Sequence, residues 1–169
     1  MKKIMLIICL LGFFNCEYVD TWTNISVDPE TMIEIGEITD YDFENDIEIN
    51  SVDELLHYMK INSHYQKDNE DYWQLPEETY DRGIIGDCED FSIFNMYILK
   101  EKLNIASKLA VIEQNGLFHA IVILNENNYI DRSTIRTNLK DKEIIFTISY
   151  EKIIWMIMYF HKPIGEYIF

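Results

Sequence analysis

The side chains best suited to chemistry in this chain are Cys88, His119 and Asp131, in that order along the sequence. A thiolate can attack a carbonyl carbon, an imidazole can take the thiol proton, and a carboxylate can hold the imidazole in the required tautomer. Residues 86–90 read Gly-Asp-Cys-Glu-Asp and predict a tight turn that opens a helix. The N–H groups at a helix N-terminus favour a thiolate and can bind an oxyanion. We therefore expect Cys88 as nucleophile, His119 as base and Asp131 as orienting acid.

Each of the three residues also has an ordinary structural explanation. A lone cysteine is often a buried apolar side chain, a histidine on a strand is often a hydrogen-bonded structural residue, and Asp131 could simply belong to a turn. The spacing favours chemistry, because His119 and Asp131 lie on strand-like segments joined by the turn at 125–128. Two antiparallel strands would bring them together.

The acidic neighbours of Cys88 work against a simple triad. Asp87, Glu89 and Asp90 are favourable caps at the start of a helix, but neighbouring negative charge also disfavours a thiolate and raises the pKa of the thiol. Either the carboxylates point away as caps, or a cation neutralises them. Oxygen ligands of this kind favour Ca²⁺ over Mg²⁺ where the site is flexible, so on the second alternative Asp87, Glu89 and Asp90 would form a calcium site.

The N-terminus has the pattern of an export signal. Lys2 and Lys3 precede an apolar run at 4–14 that is too short to span a bilayer, which is typical of a secretory signal. Residues 13–16, Phe-Phe-Asn-Cys, are similar to a bacterial lipobox, so Cys16 would be lipidated after removal of 1–15; an ordinary cleaved signal is the alternative. We expect an exported, envelope-anchored protein whose remaining thiol, Cys88, has no disulfide partner.

The charge of the chain narrows the choice of partners. It contains 14 Lys and Arg residues against 30 Asp and Glu residues, a net charge of −16. Nucleic acid and anionic membrane surfaces would be repelled, whereas divalent cations or basic partners would not. A plain soluble acidic surface explains most of this charge equally well.

The remaining sequence predicts one α+β domain over residues 51–169, preceded by an acidic tether at 16–50 with short strands or loops. Ser51 and Glu54 form a capping box, and the helix that follows should bury Val52, Leu55, Leu56, Met59 and Ile61. Pro76 suits the first position of a second helix. A third helix should run from Cys88 to about 103–104 with Phe91, Phe94, Ile98 and Leu99 inward. Strands are predicted at 108–113, 117–124, 128–131 and 144–150, and the apolar run at 153–160 fits either a strand or a helix.

Four segments together resemble the bacterial transglutaminase-like cysteine proteinases. They are 71–79 (Asp-Tyr-Trp-Gln-Leu-Pro-Glu-Glu-Thr), 86–91, 119–122 (His-Ala-Ile-Val) and 130–131, within a region from about 51 to 134. The resemblance implies a papain-like α+β fold, with the nucleophile helix packed on an antiparallel sheet, and a Cys88–His119–Asp131 triad. It also implies calcium binding at Asp87, Glu89 and Asp90, as in the periplasmic branch that cleaves surface adhesins under control of a membrane receptor.

The chain departs from that family in its short length, its brief loops and its lipobox, which leaves substrate and regulation open. Trp73 and Tyr80 are the candidates for an oxyanion-binding side chain. The expected function is an envelope cysteine peptidase acting on a protein or peptide. An acyl transferase using the same site, and a non-catalytic surface lipoprotein or calcium-binding module, are the alternatives.

Overall fold

A computed structural model describes residues 46–67 and 72–161 of the chain. The expected signal at 1–15, the lipidation site Cys16 and the tether up to residue 45 lie outside the described residues. Within the described ranges, no helix is long and apolar enough to cross a membrane.

Four α-helices are described. They are α1 (Val52–Asn62), α2 (Pro76–Asp81), α3 (Cys88–Tyr97), which continues into a π-helical segment (Ile98–Lys102), and α4 (Tyr150–His161). Pro76 opens α2 as predicted, and Ser51 caps α1, because its Oγ accepts a hydrogen bond from the Glu54 N–H. The ambiguous apolar run at 153–160 falls within α4.

The strands form two sheets. A short parallel pair joins β1 (His64–Tyr65) to β2 (Ile85–Gly86), directly before α3. The main sheet contains β3 (Lys108–Gln114), β4 (Leu117–Ile123), β5 (Tyr129–Asp131), β6 (Thr134–Arg136) and β7 (Glu143–Ser149). It is antiparallel throughout, in the order β6-β5-β4-β3-β7. The expected α+β class and antiparallel sheet are confirmed.

Helix α3 lies at the centre of the hydrophobic core. All of its residues from Glu89 to Tyr97 are buried, which exceeds the single apolar face that the sequence predicted. The helix packs on β4 and β3 and also contacts α2 and α4. Its apolar side chains share one cluster with Leu109, Val111 and Val122 of the sheet. A second, smaller cluster around Ile112 and Ile121 is closed by Leu139 from a 3₁₀ turn (Leu139–Asp141).

Several local expectations need correction. Ile61 is 60% exposed rather than buried, because it follows the last inward position, Met59, at the end of α1. Ile47 and Ile49, where a short strand or a loop was expected, lie in a loop, and both are buried in the core although this segment was expected to be a tether. Glu54 accepts a hydrogen bond from the Asn50 N–H, one residue before the N-cap. The polar segment after α1 contains strand β1, whose paired residues lie 21 positions further along the chain, so no local pattern predicts it.

Candidate active site

The turn that leads into α3 is built around the carboxylate of Asp90. Asp87 is the N-cap residue of the helix, and its N–H donates to Asp90 Oδ2 at 3.0 Å. A third-position carboxylate that binds the N-cap N–H is half of a capping box. Asp90 is fully buried. The sequence suggested both capping and calcium binding for Asp90, and its observed contacts are those of a cap.

Asp90 also holds the segment before α2 against the start of α3. Gln74 donates twice to it, from the backbone N–H to Oδ1 and from Nε2 to Oδ2, both at 2.8 Å. Gly86 lies so close that an added Cβ would lie 2.7 Å from the Asp90 Cβ. The Gly-Asp-Cys-Glu-Asp pattern therefore has a packing reason, since any side chain at position 86 would displace the carboxylate that caps the helix.

Cys88 is the first residue of α3 and is partly buried. Its Sγ donates a hydrogen bond to Glu89 Oε2 at 3.0 Å and accepts one from the backbone N–H of Ala120 on β4. Strand β5 pairs with β4 only at Val122 and Ile123, so the backbone of Ala120 lies beyond that ladder. The sulfur therefore occupies the edge of β4, next to the residue that follows His119.

The surroundings of the thiol disfavour its ionised form. Burial and the Glu89 carboxylate raise the pKa of Cys88 well above its ordinary value, with a smaller contribution from Asp87, while the Ala120 N–H acts in the opposite direction. The sequence predicted that neighbouring carboxylates would have this effect. In this arrangement Cys88 is a protonated thiol at neutral pH, despite its position at a helix N-terminus.

His119 and Asp131 are brought together by the hairpin of β4 and β5. His119 Nε2 lies 2.9 Å from Asp131 Oδ1, and each side chain is about one-third exposed, at 30% and 31%. The hydrogen bond to His119 lowers the pKa of Asp131, so its carboxylate is ionised. A carboxylate that accepts from Nε2 fixes the proton there and leaves Nδ1 as a base.

Cys88 and His119 make no hydrogen bond with each other in the described part of the chain; each has the partner given above. The sulfur nevertheless bonds to the backbone of Ala120, directly after His119. The arrangement is that of a thiol held in a protonated form beside an assembled His–Asp pair.

The residues expected to bind calcium separate into two groups. One ligand atom each from Asp87, Cys88 and Glu89 lies within 4.8 Å of the others, and both carboxylates are buried. Asp90 is engaged by Gln74 and the Asp87 N–H instead. Two carboxylates provide at most four of the six to eight oxygens that Ca²⁺ takes. Among the described residues, Asp87, Cys88 and Glu89 are therefore the cluster whose ligand atoms could meet at one cation.

The structure also shows the surroundings of the two oxyanion candidates, Trp73 and Tyr80, and three polar residues near the site that the sequence did not single out. Trp73 and Tyr80 both pack against the main hydrophobic cluster. Gln74, Asn95 and Arg132 make the polar contacts between elements around the site. The sequence could have pointed to Gln74, because it lies inside the 71–79 motif, and to Arg132, because it directly follows Asp131. Asn95 offered a weaker sequence signal, a polar residue in the middle of an apolar helix.

Comparisons of the chain with protein-family models, with curated proteins and with solved structures give no match.

Proposed function

We propose that this protein is a cysteine peptidase-like hydrolase of the cell envelope, with a papain-like or transglutaminase-like catalytic domain. One observation carries the proposal. The thiol of Cys88 opens a buried helix and bonds to the backbone beside His119, whose Nε2 is held by Asp131. The proposed nucleophile, base and orienting acid lie on α3, β4 and β5, and the contact of Cys88 with the residue that follows His119 supports the proposed triad.

The reaction would proceed through an acyl-enzyme. His119 Nδ1 takes the proton of the Cys88 thiol as the sulfur attacks the substrate carbonyl carbon. His119 then gives that proton to the leaving amine as the amide C–N bond breaks. Water, deprotonated by His119, attacks the thioester and releases the acid and the free thiol. Asp131 stabilises the imidazolium in both steps.

A divalent cation is the proposed means of activating the thiol. Asp87 and Glu89 would hold it, and its charge would offset the two buried carboxylates that keep the thiol protonated. Glu89 could not give both carboxylate oxygens to the cation while its Oε2 accepts the hydrogen bond from the thiol. We expect Ca²⁺ for this role, because the ligands are hard oxygens.

The raised thiol pKa also supports a second candidate, a non-catalytic envelope lipoprotein. In that case the carboxylates and Cys88 would form a binding or structural feature, and the His119–Asp131 pair would only stabilise the hairpin. The two candidates differ in one respect: only the hydrolase needs Cys88 and His119 for turnover.

Peptide cleavage tests the proposal. The full-length chain would be incubated with a mixed peptide pool, with Ca²⁺ or a chelator, and new N-termini would be identified by mass spectrometry. We expect cleavage by the parent and by His57→Ala, an exposed histidine on α1, and its loss in Cys88→Ala and His119→Ala. Amide products formed on adding a primary amine would indicate the acyl transferase instead. Cleavage that survives Cys88→Ala would overturn the proposed mechanism.

A further inference from the structure

Arg132 has an unusual backbone conformation next to the proposed orienting acid. Its φ is 54°, in the left-handed region that residues other than glycine and asparagine seldom adopt. It begins the two-residue turn between Asp131 on β5 and Thr134 on β6. A two-residue hairpin turn takes a positive φ at its first central residue, where glycine or asparagine is usual, so an arginine at this position is held by its side-chain contacts as well as by the turn.

The contacts of Arg132 reach two other parts of the molecule. Its guanidinium donates from Nε to Ser63 Oγ at 2.9 Å and from a terminal nitrogen to the Ser63 carbonyl oxygen. The same group lies over the ring of Phe91 on α3, 5.1 Å from its centre. The Arg132 carbonyl oxygen accepts a hydrogen bond of 2.8 Å from Asn95 Nδ2, also on α3.

These contacts join the two halves of the proposed active site. Phe91 and Asn95 belong to the helix that begins with Cys88. Ser63 directly precedes β1, which pairs with the β2 segment leading into that helix. On the other side, the Arg132 backbone continues from Asp131, which holds His119. From the β5–β6 turn, Arg132 thus hydrogen-bonds both to Asn95 of α3 and to Ser63, the C-cap of α1.

We propose that Arg132 is a positioning residue that holds the His119–Asp131 pair in register with the Cys88 helix. The inference rests on the proposed function. Arg132 touches neither substrate nor thiol; it sets the separation between base and nucleophile. The planar guanidinium suits this role, because it makes two directed hydrogen bonds and stacks on an aromatic ring at once, which a lysine ammonium cannot do.

Two variants separate the side chain from the backbone strain. Arg132→Lys keeps the charge but loses the two-point contact with Ser63, and Arg132→Gly removes the side chain while adopting a positive φ without strain. Arg82→Lys and Arg82→Gly, at an exposed position after α2, are the matched controls. The free energy of unfolding of each variant would be measured first, and the variants would be compared under conditions in which all of them are folded.

The first measurement is the titration of the Asp131 carboxyl by ¹³C NMR. The charged groups that act on it are His119, Arg136 and Lys142, and the Arg132 guanidinium is directed at Ser63 instead. In both Arg132 variants we expect the titration midpoint of Asp131 to rise towards its ordinary value, because the bond to His119 loosens. The Arg82 variants should titrate like the parent.

The second measurement is the alkylation rate of Cys88 at neutral pH in the presence of Ca²⁺, for which we expect a loss of about 10- to 100-fold in both Arg132 variants, as for a misplaced catalytic group. An unchanged Asp131 titration, with alkylation within twofold of the parent, would overturn the proposal and leave Arg132 a purely structural residue. If parent alkylation is independent of His119, the proposed function fails, and the Asp131 titration still decides whether Arg132 positions the His–Asp pair.

Discussion

At the scale of single residues, the balance between Glu89 and His119 decides what Cys88 can do. Glu89 Oε2 accepts a hydrogen bond from Cys88 Sγ at 3.0 Å, and Glu89 is nearly fully buried. His119 keeps one ring nitrogen for the thiol proton, since Asp131 binds the other. The negative charge beside Cys88 therefore favours the protonated, unreactive thiol. A reactive thiolate requires that the charge of Glu89 be neutralised or its hydrogen bond to the thiol be broken.

Substituting Glu89 should expose this balance. Glu89→Gln removes the negative charge, so the thiol pKa should fall and alkylation at pH 8 should rise, by about tenfold for each unit of pKa. Rates would be measured for the Cys88 peptide by mass spectrometry. Glu113→Gln, at an exposed position on β3, is the control and should match the parent. A lower rate in Glu89→Gln would contradict this account of the thiol.

The buried cap provides a test of the turn. Asp90→Asn conserves volume but places an amide where Gln74 and the Asp87 N–H need an acceptor. Each buried donor left without a partner costs about 1–3 kcal/mol, so we expect a loss of about 3 kcal/mol in the free energy of unfolding, measured with urea. Asp53→Asn, in the exposed first turn of α1, should change stability by less than about 0.5 kcal/mol. Equal effects would contradict the capping role.

The thiol should also affect stability at alkaline pH. The folded protein keeps the Cys88 proton, because burial and Glu89 raise the pKa of the thiol, whereas the unfolded chain releases it above about pH 8.5. Proton release by the unfolded chain means that the stabilising effect is complete below pH 8.5 and is lost as pH rises. Between pH 8 and 9.5 the parent should lose about 1 kcal/mol more than Cys88→Ala. Urea unfolding at several pH values checks this; parallel curves would contradict it.

At the scale of elements, the sequence could predict what depends on local pattern. Ser51 as the N-cap of α1, Pro76 at the start of α2, and strands β3, β4 and β5 between clear turn signals all agree with the structure. The contacts that assemble the site could not be predicted in this way. Gln74 with Asp90, and Arg132 with Ser63, join distant segments, and a long-range hydrogen bond leaves no periodicity. Burial of α3 on all sides likewise depends on α2, α4 and the sheet together.

Helix α3 carries Cys88, the proposed nucleophile, and lies at the centre of the core, so its packing should govern stability. Phe94 is fully buried, and Phe94→Ala should lower the free energy of unfolding by about 3–5 kcal/mol through lost burial and a residual cavity. Leu117→Ala, at a position that is 71% exposed, is the control and should have little effect. Thermal and urea unfolding measure both. A small effect of Phe94→Ala would contradict the central position of α3.

At the scale of the whole molecule, the acidity of the chain and the predicted export signal are the reasons for proposing that the protein works in the cell envelope. The net charge of −16 disfavours nucleic acid and favours cations. Envelope anchoring itself depends on Cys16, outside the described residues. We expect Cys16→Ser to prevent lipidation and release the protein from the membrane fraction, measured by detergent phase partitioning. Cys9→Ser, inside the expected signal, should leave the protein anchored; identical partitioning of both variants with the parent would contradict the lipoprotein proposal.

The measurement that tests the central claim most directly is the alkylation rate of Cys88 in the parent, His119→Ala and His57→Ala. Each would be followed across pH, with Ca²⁺ and with a chelator. We predict that with Ca²⁺ the parent and His57→Ala react at least about tenfold faster near neutral pH than His119→Ala, and that the chelator removes the difference. Equal slow labelling in all three proteins, with an elevated thiol pKa indifferent to Ca²⁺, would contradict the claim that Cys88 is a nucleophile served by His119.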